Sequence, residues 1–195
     1  MDIDGSHVTG TILSGGAVIS TGVATFENGV GGKALGATAS GVTAGLGDSI
    51  YVLSGGTTSG TAINGLINSL YELSSENIYA GGRAIGTTIS GLGGLENVHS
   101  GGVSMQGHFI SAAQQLDSGG VSISATLDAR AQERIMSGGV ASATSIDSRG
   151  SAVVNLGAHF IDGTVHSGGN LLIAATAGVT ALHGASGGAV VLPIL

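Results

Sequence analysis

The chain has 195 residues, with 38 glycines, one proline, no cysteine and no tryptophan, a hydrophobic fraction of 42%, and five Lys plus Arg against 12 Asp plus Glu for a net charge of -7. Ordinary proteins carry about 7% Gly and about 5% Pro, so glycine is placed here for structure; the aliphatic content excludes a disordered linker and the missing Gly-X-Y period excludes collagen. The acid excess excludes a phosphate-neutralising surface, and with it a nucleic-acid partner, while the lack of cysteine excludes a disulfide framework and thiolate metal sites.

Taken from the amino end, Met1-Asp2-Ile3-Asp4 has neither the basic nor the apolar region of a signal peptide, and no run of about 18 apolar residues follows that could span a membrane as a helix. If the parent protein is secreted, the chain is a piece of it with an added or internal start; a single domain over residues 1–195 is expected. Gly-Gly pairs preceded by Ser or Ala then recur along the whole length. Their second members, Gly16, Gly56, Gly82, Gly102, Gly120, Gly139, Gly169 and Gly188, stand 40, 26, 20, 18, 19, 30 and 19 residues apart. Self-similarity at a fixed short period is the mark of a solenoid. The 40 reads as two coils, and the 30 as one coil plus a degenerate corner at Arg149-Gly150.

Three residues before the first glycine of the successive pairs stand Ile12, Val52, Ile78, Val98, Leu116, Ile135 and Val165, with Gly184 breaking the rule at the last pair. A branched aliphatic recurring at one place in every coil is what an inward ladder requires, since each copy packs on those above and below. The Gly pair marks a corner, where positive φ costs glycine almost nothing. Between corners the runs are short and alternating, as in Ala84-Ile85-Gly86-Thr87-Thr88-Ile89, which predicts two or three strands per coil and no helix. The expected fold is all-β: a parallel β-helix of nine to ten coils with a 19–20-residue repeat, and a rod about 45 Å long at about 4.8 Å per rung.

The interval 57–80 holds the oversized coil. Extra residues in a solenoid map to a loop on one side, and this one combines Tyr71, Glu72, Glu76 and Tyr79 in a chain poor in aromatics and charges. With Arg83, and with Arg130, Glu133, Arg134 and Arg149 in and near the most charged segment, these residues form the candidate contact surface.

Residues 82–102 spell the repeat most fully: an Ala two residues after the pair, a Gly86-Thr87-Thr88-Ile89 strand, a middle glycine, and a Val98-His99-Ser100-Gly101-Gly102 close. This pattern resembles the passenger repeats of the self-associating autotransporter adhesins typified by antigen 43 and the diffuse-adherence adhesin, with a partial echo at Gly32-Lys33-Ala34-Leu35-Gly36-Ala37-Thr38. The resemblance implies a right-handed parallel β-helix, secreted to a bacterial cell surface, that binds a copy of itself or a host or glycan surface.

Other chemistries find less support. The six histidines show no i, i+2 or i, i+4 pairing, so no zinc site is expected. His99 and His166 both stand two residues before a Gly pair, a position that elsewhere carries Leu53, Tyr79, Asp117 and Met136 and so reads as solvent-facing. Asp128, Glu133, Asp147 and Asp162 fall in separate coils at unequal offsets, unlike the clustered carboxylates of a β-helical lyase or hydrolase. The sequence thus predicts a non-enzymatic adhesin or self-association module with no cofactor and no metal. A β-helical carbohydrate-binding or carbohydrate-active module is the alternative, and a structural spacer the third reading.

Overall fold

The computed structural model describes residues 11–12, 18–27, 30–65, 73–174, 177–184 and 187–191. The glycine-interrupted aliphatic runs form short strands stacked into three long sheets, and the described residues contain no helix. One coil takes one strand from each sheet: Gly94–Val98 lies on the first face, Val103–Met105 on the second and His108–Ile110 on the third. The second and third faces hold eight strands each, which makes about eight turns of about 19 residues.

The inward ladder is where the spacing placed it. Along the first face Val52 lies beside Ile78, Ile78 beside Val98, Val98 beside Leu116, and Leu116 beside Ile135, all fully buried, and Val154 continues the column. Each such side chain contributes about 1.5–3 kcal/mol relative to exposure. The third face supplies the opposite wall with Ile63, Ile89, Phe109, Leu127, Ile146 and Val165.

Three parts of the sequence reading need correction. Ile12 is not in the ladder: Thr11–Ile12 pairs antiparallel with Val18–Ile19 in a separate two-stranded sheet. The 40-residue interval is not two coils either, because Val23–Glu27 runs antiparallel to both Val30–Gly36 and Ser49–Val52. The Asn28-Gly29 dipeptide between those strands is a strong short-range hairpin signal, and it outweighs the repeat there.

The third correction concerns the 30-residue interval. The pairs at Gly55-Gly56, Gly81-Gly82, Gly101-Gly102, Gly119-Gly120 and Gly138-Gly139 all follow first-face strands, whereas Arg149-Gly150, Gly168-Gly169 and Gly187-Gly188 follow third-face strands. The motif has moved to another edge of the triangle, so Val165 belongs to the third-face column. Both edges pose the same demand. At Gly119-Gly120 the first residue has φ 79, and a Cβ on the second would collide with the carbonyl of Val98 one rung below, so the pair serves equally wherever two rungs turn in close contact.

Candidate functional site

The three outer faces differ in chemistry. On the first face the outward column is amide-rich through Asn77, Asn97 and Gln115, with Asn97 Nδ2 donating to Asn77 Oδ1 at 2.9 Å. The third face and its edges carry acids and histidines paired from coil to coil: His166 to Asp147 at 3.6 Å and His183 to Asp162 at 3.1 Å. The second face is largely aliphatic over its middle rungs, with one outward column running Arg83, Val103, Val121, Val140 and His159 and the other Ile85, Met105, Ile123, Ser142 and Ile161. None of its eight strands contains Asp or Glu.

The predicted contact residues do not form one surface. Tyr71 and Glu72 lie outside the described residues. The insertion itself falls at the third-to-first edge, where strands Ala62–Asn64 and Ser74–Ile78 are separated by residues 65–73 against 91–93 in the next coil. Arg83 stands exposed on the second face, with Nη2 3.2 Å from the Met105 sulfur. Arg130 and Arg149 occupy equivalent corner positions on adjacent rungs, both with positive φ, and Arg134 points outward from the strand that follows Arg130. Arg130 and Arg149 thus share the third-to-first edge, while Arg134 continues the first-face column of Asn77, Asn97 and Gln115. None of these arginines is ion-paired with a carboxylate among the described residues.

Glu76 and Glu133 are removed from the contact set, because both are completely buried. The strands Ser74–Ile78 and Gln132–Ile135 alternate inward and outward, which turns any residue two before the ladder aliphatic into the core. Tyr79 is also largely covered, at 7% exposure. It lies in a row with Tyr51 at 6.3 Å and His99 at 4.5 Å between ring centroids, and His99 Nδ1 meets Asp117 at 2.8 Å. Burial, with Tyr51 and Asp117 adding to it, pushes the Tyr79 hydroxyl up to about 12. The position two before the Gly pair is therefore not simply solvent-facing: Leu53 is 1% exposed and the column stacks on itself. Nor do His99 and His166 share it, since they sit at different edges of the coil.

The feature that sequence reasoning missed is a polar column inside the core. Glu76, Glu96, Gln114 and Glu133 stack in register on the inner side of the first face, each at most 1% exposed. Ile50 precedes them and Ala152 follows. Hydroxyls from the neighbouring walls line it. Thr58 and Thr87 donate to the two Glu76 oxygens at 2.7 Å each, and Thr61 adds a third bond at 3.3 Å. Gln114 donates its amide to Glu96 Oε2 and accepts from Ser122 at 3.2 Å. Glu96 Oε1, both Glu133 oxygens and Thr144 Oγ1 are buried with no hydrogen bond.

Burial raises the pKa of all three acids. It does so for Glu76 against the three threonine hydroxyls. Glu96 is pushed up to about 8 by burial first and then by the charge of Glu76, and Glu133 to about 7 by burial, countered by the adjacent hydroxyls of Thr144 and Ser122, which lie near its carboxyl without hydrogen-bond geometry. The signal was in the sequence: each member stands two residues before Ile78, Val98, Leu116 or Ile135, and strand alternation sends both inward.

No group of three or more His, Cys, Asp or Glu is placed to hold a metal ion among the described residues. A cavity of about 400 Å³ lies between the antiparallel hairpin and the first coil, where Glu27, Lys33 and Asp48 ring the apolar Leu35, Val42 and Ile50.

The chain matches no protein-family model and no curated protein. Among solved structures it is similar to a fragment of TibA hyper-glycosylated by TibC, at 21% identity, covering 80% of this chain and 82% of that one with a TM-score of 0.36. At that distance the likeness carries no argument about activity.

Proposed function

We propose that the chain is a non-enzymatic adhesive rod, a right-handed β-helix of the autotransporter-passenger kind displayed at a bacterial surface, which associates side by side with a second copy of itself through the second face. The distribution of charge supports this reading most. The molecule carries a net -7, yet the second-face strands hold no carboxylate. Two copies can lay these faces together without opposing carboxylates, while removing exposed Ile123 and Ile161 from water.

The surface is narrow. Seven rungs at about 4.8 Å give a strip roughly 35 Å by 10 Å, well below the about 800 Å² per partner of a stable complex. Association through it is weak per coil and grows with the number of coils engaged, as expected for a surface that zips along a rod. A glycan partner is less well supported, because the row Tyr51, Tyr79 and His99 spends its ring faces on its own neighbours.

Sedimentation velocity over a concentration series tests the proposal. The wild-type chain is expected to associate reversibly. The double variant Val121→Glu with Ile123→Glu should stay monomeric with an unchanged melting temperature, and Arg130→Glu with Arg134→Glu should associate as the wild type does. A chain that stays monomeric at every concentration and salt overturns self-association. If the arginine reversal alone blocks association, the contact lies on the first face and its edge at Arg130, and the assignment to the second face is wrong.

A further inference from the structure

We propose that the column Glu76, Glu96, Gln114 and Glu133 is a proton-loaded spine that makes the central coils, residues 74–135, a pH-sensitive element of the rod. They are closed while the carboxyls are neutral and opened by proton loss in mildly alkaline solution. The coils from 151 onward are expected to remain closed, because their equivalent column is Ala152, Leu171 and Val190.

Geometry carries this inference. All three carboxyls are completely buried, and they sit in consecutive or near-consecutive rungs of one parallel sheet. Adjacent rungs are about 4.8 Å apart, so ionised Glu76 and Glu96 would face each other across one rung spacing in a dry core. Compensation comes from hydroxyls alone: Thr58, Thr61 and Thr87 donate to Glu76, and no cation among the described residues faces the column. The inward residues opposite are Ala84, Ser104, Ser122 and Ala141 on the second face and Ile89, Phe109, Leu127 and Ile146 on the third. Thr58, Thr61, Thr87 and Thr144 complete the lining. Among the described residues, the only titratable groups facing the column are its own members, and no Lys, Arg or His is buried.

At Glu96 and Glu133 the hydrogen-bond pattern fits neutral acids, whereas the two oxygens of Glu76 accept from three threonine hydroxyls. Gln114 replaces a carboxyl with an amide in the third rung, where it donates to Glu96 and separates it from Glu133. The oxygens left without partners, Glu96 Oε1 and both of Glu133, are acceptable as parts of neutral carboxyls and very costly as a buried anion. The raised pKa values of about 8 for Glu96 and about 7 for Glu133, and the upward shift of Glu76, agree with this in direction.

Because the folded-state values lie above those of the unfolded chain, the contribution of each acid is fully present below the unfolded carboxyl range. It is lost progressively as pH rises from the unfolded value through the folded one, a loss that is complete above about 7 for Glu133 and above about 8 for Glu96. Stability therefore falls toward alkali, the reverse of a protein held by exposed ion pairs.

Hydrogen exchange of the full chain at pH 6 and pH 9, corrected for the intrinsic pH dependence of exchange, tests the proposal. Amides of 74–135 are expected to lose protection by at least about tenfold more than those of 151–173, the exchange equivalent of one shifted carboxyl across about one pH unit. The triple variant Glu76→Gln, Glu96→Gln and Glu133→Gln, which removes every titrating member of the column and keeps its shape, should abolish that difference. Equal loss in both regions, or an undiminished loss in the variant, overturns the spine. Should the variant fail to fold, carboxyl-carbon NMR of Glu-labelled wild-type chain decides directly. Buried glutamates titrating near neutral pH or above support the proposal, and titration of all glutamates in the usual carboxylate range overturns it.

Discussion

Between residues 74 and 135 the first face turns Glu76, Glu96, Gln114 and Glu133 inward, and the second face opposes them with Ala84, Ser104, Ser122 and Ala141. One coil later the first face offers Ala152 and the second answers with Phe160, fully buried. The backbone rung is unchanged across this exchange, and the cross-section is filled in both cases, as close packing demands. The difference teaches that a rung of this solenoid conserves interior volume rather than polarity. It can be closed by a long polar chain against small residues or by an aromatic against alanine, and only the first solution ties closure to pH.

Placing a charge one column away gives the largest expected effect on that comparison. Val98→Asp puts a carboxylate between Ile78 and Leu116, where the walls present no hydroxyl. The central coils should unfold, lowering stability by about 3–5 kcal/mol or more; circular dichroism melting checks this, and a melting temperature within a few degrees of wild type would show that the interior tolerates charge generally rather than in one lined column.

Phe160→Ala strikes the other solution. It leaves Ala152 facing a void and should cost about 3–5 kcal/mol, measured by denaturant unfolding, with the loss independent of pH between 6 and 9. A pH-dependent loss would mean that the two kinds of rung share one unfolding unit. His99→Asp is the smallest. It replaces a ring stacked on Tyr79 and sets a second carboxylate beside Asp117, so a cost of about 0.5–1 kcal/mol is expected, visible as a shift of a few degrees in melting temperature and relieved by salt.

Much of the architecture was legible because each coil repeats its instructions locally. A branched aliphatic followed three residues later by a Gly pair specifies one inward side chain and one corner, and stacking needs nothing more. Reading failed where a local signal overrode the period, at the hairpin of Val23–Glu27 and Val30–Gly36, and where the same corner motif serves two edges of the triangle, as at Gly139 and Gly150. The candidate site was legible only in part. Arg130, Arg134 and Arg149 stand exposed, as charged side chains are expected to, whereas Glu76 and Glu133 are fully buried, which residue type alone does not announce because charged residues are almost never fully buried without partners.

By itself, then, the sequence determined the β-solenoid, its period of about 19 and the identity of the Val52, Ile78, Val98, Leu116 and Ile135 ladder, since those follow from residue type and spacing along the chain. The tertiary structure alone decided which face is free of carboxylates, which arginines share an edge, and that four polar side chains form one column lined by threonine and serine hydroxyls. Each of those depends on the lateral registration of residues about 19 apart. A shift of one residue in that registration would turn every inward side chain to the solvent.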